Sequence, residues 1–217
     1  FRIPELRYVL PITLAWAFAV AVMVAEKDLG SALLFFTLFM VMMWVATERA
    51  IYLVLGLVIF SGAAYIAWRM FEVVQTRVDI WLDPWSQYEG KGYQPAQAMF
   101  AFANGGTAGT GLGLGNPTKI PAASTDYVYA AIGEEMGLIG ATAIIIAFLL
   151  LLGAGLRVAV RADRPFEKLL ATGLTTIISM QAFIIIGGVL RLVPLTGITL
   201  PFVSYGGSSL LANYILL

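Results

Sequence analysis

Pro121-Ala-Ala-Ser-Thr-Asp-Tyr127 lies within a long polar segment, residues 73–137, that separates two blocks of apolar sequence. Three apolar stretches precede this polar segment and three follow it. Most of these stretches approach the roughly 20 apolar residues that an α-helix needs to cross a bilayer. The arrangement predicts an all-α fold, a polytopic transmembrane helical bundle with one large extracytoplasmic loop that contains short helices.

The boundaries of the predicted spans follow from where polar residues interrupt the apolar stretches. Spans are predicted over residues 8–25, 31–46, 50–71, 138–160 and 166–190, and a sixth begins at residue 208 and reaches residue 217. Since this sixth stretch is too short to cross a bilayer, we interpret the chain as part of one longer membrane domain. Short helices are predicted over residues 92–103 and 126–136, the second with Ser124 or Thr125 as its N-cap.

Composition supports a membrane protein and restricts its chemistry. Hydrophobic residues make up 60% of the chain and charged residues 12%, whereas soluble domains are nearer one half apolar and one quarter charged. The net charge is zero, which gives no argument for a nucleic-acid partner. Histidine and cysteine are absent, so Ser-His-Asp and Cys-His catalysis and histidine-ligated zinc are excluded. A general base must therefore be a carboxylate or, less readily, a lysine or tyrosine.

The distribution of basic residues predicts the orientation in the membrane. With the N-terminus inside, the cytoplasmic side receives the basic residues next to short loops: Arg2, Arg7, Arg49, Arg157, Arg161, Arg164 and Lys168. The polar segment, the turn at residues 26–30 and a Pro/Gly-containing hairpin at residues 191–207 then share the outer face.

Several motifs occur in one order along the chain. They are Asp28-Leu-Gly-Ser-Ala32, Trp81-Leu-Asp-Pro-Trp85, Gly92-Tyr-Gln-Pro-Ala-Gln97, the glycine-rich run 104–115, Thr125-Asp-Tyr127 with Ile132-Gly-Glu-Glu-Met-Gly137, and Leu200-Pro-Phe-Val-Ser-Tyr-Gly-Gly-Ser-Ser209. This order resembles the SEDS family, the rod-shape, division and sporulation membrane proteins of bacterial cell-wall synthesis. The resemblance covers essentially the whole chain.

The resemblance implies a fold, an activity and a partner. The family has about ten membrane helices, so the chain looks like its C-terminal portion. Family members are peptidoglycan glycosyltransferases that polymerise lipid II at the outer face of the bacterial cytoplasmic membrane, and they work with a class B penicillin-binding protein, a transpeptidase. The family's catalytic aspartate maps onto Asp126. Ala122 and Ser124 stand where the family usually has Glu and His, which leaves Asp126 without those two helpers.

Asp126 has two interpretations. It could cap the helix that follows, because aspartate is favoured at helix N-termini. It could instead be the general base that takes the proton from the acceptor 4-hydroxyl, with its pKa raised by partial burial. The resemblance favours the second interpretation.

Further residues are candidates for binding the substrate. Arg77, Lys91, Lys119 and Arg191 could bind the diphosphate of lipid II, or each could anchor lipid headgroups; Arg77 is favoured because it precedes the motif at 81–85. A divalent cation, Mg²⁺ or Mn²⁺, could share this role, although no metal motif is visible. The remaining candidates for substrate contact are Gln97, Thr125, Glu135, Ser204, Gly206, Gly207 and Ser208.

Alternatives remain open at several positions. The glycine-rich run could cradle phosphates or shape the loop, and the second is favoured because a Walker motif is missing. Residues 206–209 could line a cavity or let a helix re-enter the membrane. For the whole protein, the alternatives to a polymerase are a lipid II flippase, which would need ionisable residues in mid-span, and a non-catalytic scaffold that activates the penicillin-binding protein.

Overall fold

The computed structural model describes residues 6–216, and this part of the chain forms eight α-helices. They are α1 (Leu6–Ala25), α2 (Leu29–Thr47), α3 (Ile51–Met70), α4 (Glu72–Leu82), α5 (Tyr93–Gly105), α6 (Val128–Arg161), α7 (Pro165–Val189) and α8 (Gly207–Leu216). Single 3₁₀ turns occupy Trp85–Gln87 and Pro117–Lys119. The predicted all-α fold is therefore confirmed.

Four of these helices are long and apolar enough to cross a membrane: α2, α3, α6 and α7. The apolar part of α1, Leu10–Ala25, is shorter, and α8 has 10 residues. A helix therefore occupies each of the six predicted spans. α2 packs against α1, α3 and α7, and α6 packs against α5 and α7. The result is a helical bundle that carries the polar segment at one end.

The polar segment contains more helix than the sequence predicted. α5 confirms the short helix predicted over 92–103. α4 was not predicted, although Val74, Val78 and Trp81 recur with helical spacing along it.

The second short helix is not separate. It continues into the fourth span as α6, and a break at Gly137 (φ 64°, ψ −164°) divides the two parts. The predicted N-cap is wrong, because α6 is capped by Tyr127 without a side-chain hydrogen bond. Ser124 and Thr125 lie in the preceding turn, where their carbonyls are held by the hairpin that follows α7.

The glycine-rich run begins in the last turn of α5 and continues as a loop that docks on the break in α6; we call residues 104–116 the glycine loop. The amides of Thr110 and Gly111 donate to the carbonyls of Glu134 and Glu135, each at 3.0 Å. In return, the amides at positions 138 and 139 donate to the carbonyls of Gly106 (2.9 Å) and Thr107 (3.2 Å). The backbone groups that the break would leave unpaired therefore find partners in the loop.

The hairpin at residues 191–206, which we call the site hairpin, lies against the start of α2 and the polar segment. A Cβ on Gly30 would contact Thr196 and Ile198 of the hairpin. Leu200, in the same hairpin, is buried in the apolar core with residues of α5, α6 and α7. The turn before α2, the polar segment and the site hairpin consequently meet at one end of the bundle; that this end is the outer face stays a prediction.

Candidate functional site

A cavity of about 190 Å³ opens where the polar segment meets the site hairpin. α4, the start of α5, the turn before α6, the end of α7 and the hairpin all contribute to its wall. The lining residues are Arg77, Ile80, Trp81, Lys91, Gln94, Pro95, Asp126, Tyr127, Gly188, Arg191, Leu195 and Gly197. Three cationic side chains and one carboxylate thus share one small cavity.

Asp126 is the carboxylate of this cavity. Partial burial raises the pKa of its carboxyl above the ordinary value of 3.8, while a hydrogen bond from Thr125 and the positive charge of Arg77 lower it by less. Burial raises a carboxyl pKa because it disfavours the charged form. Asp126 does not cap α6, whose N-cap is Tyr127, so the capping interpretation does not hold. A carboxyl with a raised pKa is a better proton acceptor than an aspartate in water.

Arg77 faces Asp126 across Gly197. The Arg77 Nη1 donates to the carbonyl of Thr196 at 2.9 Å. A Cβ placed on Gly197 would lie 3.7 Å from Arg77 Nη2 and 3.8 Å from Asp126 Oδ2. Gly197 also has φ +78°, a left-handed conformation that glycine adopts without strain. The hairpin therefore brings both charged groups close to a residue that has no side chain.

Arg191 fastens the site hairpin to α4. Its Nη2 donates to the carbonyls of Trp81 (2.6 Å) and Leu82 (3.2 Å), and the indole Nε1 of Trp81 donates to the Arg191 carbonyl at 2.9 Å. A guanidinium at the C-terminal carbonyls of a helix is stabilised by the helix dipole. The Nε of Arg191 is buried without a partner. Arg191 thus uses its Nη2 group to hold the end of α4.

Ser204 fastens the same hairpin to the turn that carries Asp126. Its side chain is buried, with 1% of the residue exposed. The Ser204 hydroxyl donates to the Thr125 carbonyl at 2.6 Å and accepts from the Leu200 amide at 2.9 Å. The Tyr205 amide donates to the Ser124 carbonyl at 2.8 Å. One hairpin therefore holds both α4, with Arg77, and the turn before α6, with Asp126.

The predicted site residues divide between the cavity and its surroundings. Arg77 and Asp126 line the cavity together with Lys91 and Arg191, two of the cations considered for the diphosphate. Thr125 is adjacent to Asp126, and its hydroxyl donates to the Ala122 carbonyl at 3.2 Å. A role in substrate binding remains a prediction for all of them.

The other predicted site residues do not line this cavity. The Gln97 amide donates to the Tyr88 hydroxyl at 3.2 Å, Lys119 is exposed in its 3₁₀ turn, and Glu135 lies against Gly115 of the glycine loop. Ser204 is buried beneath the turn, and Gly206, Gly207 and Ser208 lie at or next to the N-terminus of α8. Their contact with substrate stays a prediction.

Several cavity residues were missed from the sequence. Ile80, Leu195 and Gly197 reach the wall only through packing between segments far apart in the chain. Trp81, Gln94 and Tyr127 belong to the motifs at 81–85, 92–97 and 125–127, so their positions could have been used. Within residues 6–216, no group of three acidic side chains converges as a metal site would require.

Comparison with known proteins identifies the family. The family model FTSW_RODA_SPOVE, described as "Cell cycle protein", matches residues 2–217. "Peptidoglycan glycosyltransferase RodA" of Mycobacterium tuberculosis (strain ATCC 25618 / H37Rv) is 51% identical over 215 residues, 99% of this chain and 46% of the relative. "Probable peptidoglycan glycosyltransferase FtsW" of Geobacter metallireducens is 38% identical over 206 residues, 94% of this chain and 55% of the relative.

A solved structure agrees with these sequence relatives. A chain from "Structural coordination of polymerization and crosslinking by a peptidoglycan synthase complex" is similar with a TM-score of 0.79 and 27% identity, over 99% of this chain and 62% of that chain. The present chain spans about half the length of the curated relatives named above. Since the family model covers nearly every residue, the chain belongs to the FtsW, RodA and SpoVE family, which is the SEDS family whose motifs its polar segment carries.

Proposed function

We propose that the protein containing this chain is a peptidoglycan glycosyltransferase that polymerises lipid II, with Asp126 as general base. The observation that carries the proposal is the cavity itself: a partly buried carboxylate with a raised pKa faces three cationic side chains. The names of the relatives, peptidoglycan glycosyltransferases, support the same activity.

The chemistry requires one proton acceptor and charge stabilisation. The Asp126 carboxylate takes the proton from the acceptor 4-hydroxyl while that oxygen bonds to the anomeric carbon of the donor sugar. The bond between this carbon and the lipid diphosphate breaks, and the configuration inverts. A diphosphate can leave without being protonated if cations stabilise its charge. One carboxylate therefore suffices, and Ala122 and Ser124 need not supply the missing Glu and His.

Arg77, Lys91 and Arg191 are the groups we assign to the diphosphate. Arg77 and Arg191 can each present N–H groups to phosphate oxygens, and Lys91 adds a compact positive charge. A Mg²⁺ or Mn²⁺ ion at this site would be held mainly by the substrate's phosphate oxygens, because Mg²⁺ is usually bound by one or two carboxylates plus substrate phosphates. The single cavity carboxylate is consistent with that mode.

We further propose that the cavity faces outward from the bacterial cytoplasmic membrane and that a class B penicillin-binding protein is the partner. The distribution of basic residues supports the orientation. The similarity to a chain of a peptidoglycan synthase complex supports an assembly that joins polymerisation to crosslinking.

The test is polymerisation of purified lipid II by the full-length protein with and without its partner. Asp126→Asn should reduce the rate by about 10²–10⁴-fold, the range for loss of a general base. Because burial already disfavours the charged carboxylate, the amide should not lower thermal stability. The matched control is Glu89→Gln, an exposed carboxylate of the polar segment outside the cavity, which should retain full activity.

The same experiment separates the alternatives. If Asp126→Asn polymerises at the wild-type rate, the catalytic assignment is wrong and a scaffold role is favoured. A flippase would move lipid II across vesicles without polymerising it. No observation favours the flippase, since the charged residues of the described spans α2, α3, α6 and α7 lie near their ends or before the break at Gly137.

A further inference from the structure

The glycine loop exposes two large apolar side chains outside the membrane-spanning helices. Leu112 is 77% exposed and Leu114 is 72% exposed. The loop and its flanks, residues 104–118, contain no charged residue, and the first charge that follows is the exposed Lys119. Isolated exposed leucines are common on soluble proteins, so their meaning depends on what surrounds them.

The height of this loop along α6 is fixed by backbone hydrogen bonds. Its amides bind the carbonyls of Glu134 and Glu135, and its carbonyls accept from the amides of Leu138 and Ile139. Gly111 and Gly115, on either side of the two leucines, both contact Glu135. The leucines are thereby held beside the point where the apolar part of α6 begins.

That part of α6 is itself an exposed apolar surface. Leu138 is 63% exposed and Ile139 is 70% exposed, and both belong to a helix apolar enough to cross a membrane. Within a membrane, exposed apolar surface of a spanning helix faces either lipid or another helix of the full-length protein. The backbone hydrogen bonds between the loop and α6 hold Leu112 and Leu114 near the level of the first turn of this apolar surface.

We propose that the glycine loop is a membrane-inserted element that places Leu112 and Leu114 at the boundary between headgroups and acyl chains. This proposal concerns the lipid surface and goes beyond the proposed function. Insertion transfers apolar surface out of water, which is favourable. It is shallow, because unpaired backbone groups are not tolerated in the hydrocarbon region. Lys119 then lies at headgroup level, where a lysine is stable.

A protein partner is the competing occupant of this surface. The loop offers such a partner no charge, and backbone hydrogen bonds hold it at the level where the apolar part of α6 begins. Interfaces between proteins usually combine an apolar centre with a polar rim, and the glycine loop supplies no charged rim except at Lys119. Lipid is therefore the occupant to which the proposal commits.

The absence of cysteine from this chain allows a direct test by site-directed spin labelling. The full-length protein, with any cysteine outside these residues replaced by serine, is reconstituted in phosphatidylethanolamine–phosphatidylglycerol vesicles. Single labels at Leu112→Cys and Leu114→Cys are compared by collision with oxygen, which partitions into lipid, and with a water-soluble nickel chelate. Leu150→Cys, at a 70% exposed position in the middle of α6, is the lipid reference. Glu89→Cys, at an exposed position of the polar segment, is the aqueous reference.

The expected result is that both loop labels have an oxygen-to-nickel collision ratio several-fold above that of the label at position 89 and below that of the label at position 150. A ratio equal to the aqueous reference would show the loop in water and overturn the proposal. Low access to both reagents would show a covering protein surface and overturn it equally. Neither outcome depends on polymerase activity.

Discussion

The glycine loop and the site hairpin use glycine for different purposes. The loop has six glycines between residues 105 and 115, yet it contributes no residue to the cavity; its glycines let backbone approach backbone at the break in α6. The site hairpin has Gly197 at the point where Arg77 and Asp126 approach each other. A high glycine content thus indicates a docked backbone, whereas the site depends on one glycine in the right place.

The largest effect is expected where the loop touches α6 most closely. Gly109 has φ +84°, and a Cβ there would overlap the backbone of Glu135 and Gly137. Gly109→Ala should cost about 3 kcal/mol, the sum of left-handed strain and overpacking. Thermal unfolding in detergent should show a clearly lower midpoint and a loop that no longer docks. A midpoint equal to that of the wild type would mean that the docked loop does not stabilise the fold.

The next largest effect is expected at the site hairpin, where Arg77 and Asp126 approach Gly197. Arg77→Gln should lower kcat/KM for polymerisation by about 10²-fold, as removal of a charge-stabilising donor does in other enzymes. The positive charge of Arg77 lowers the pKa of Asp126, so its removal raises that pKa further. A base must be deprotonated, so activity is lost as pH falls through its pKa. The acid limb of the rate profile should therefore move to higher pH.

Arg77→Lys is the matched control, because it keeps the positive charge and loses the fork of N–H donors. It should lose activity but shift the acid limb less than Arg77→Gln. If the two variants had the same acid limb as the wild type, Arg77 would not influence the base.

A smaller effect is expected from the buried anchor of the site hairpin. Ser204→Ala leaves the Thr125 carbonyl and the Leu200 amide without their partner, and an unpaired buried group costs about 1–3 kcal/mol. Because Ser204 positions the turn that carries Asp126, kcat should fall by about tenfold, or roughly 1.4 kcal/mol, while KM stays near the wild-type value. A raised KM with unchanged kcat would instead assign Ser204 to substrate binding. Ser86→Ala, at an exposed position of the polar segment outside the cavity, is the control.

The smallest effect is expected at Gly113, a glycine of the same loop that does not approach α6 closely. Gly113 has φ +73°, but nothing lies within 4 Å of a Cβ placed on it. Gly113→Ala should therefore cost only the left-handed strain, about 1 kcal/mol, and leave polymerisation unchanged. If Gly113→Ala were as destabilising as Gly109→Ala, backbone strain rather than close approach would explain both.

The sequence was sufficient for features that depend on local pattern. Hydropathy located the spans, and the change of pattern near Gly137 separated residues 126–136 from the span at 138–160, the boundary at which α6 breaks. The motif Thr125-Asp-Tyr127 indicated Asp126. The position of Arg77 just before the motif at 81–85 indicated Arg77. Both residues line the cavity.

Features that depend on distant contacts could not be predicted. Arg77 and Thr196 are 119 residues apart, and their hydrogen bond brings the next residue, Gly197, into the site. Ser204 was expected to touch substrate because of its motif, whereas its buried bonds to Thr125 and Leu200 became visible only in the fold. α4 was not predicted because polar residues interrupt its apolar spacing, which extends over only about three turns.

The break at Gly137 has a consequence for hydrogen exchange. An interrupted helix normally exposes several amides at the start of its second part, and these exchange rapidly with deuterium. Here the amides of Leu138 and Ile139 donate to Gly106 and Thr107, so they should exchange slowly for as long as the glycine loop stays docked. These two amides are consequently an intrinsic reporter: their exchange rate measures how often the loop leaves α6, without an attached probe or a substitution.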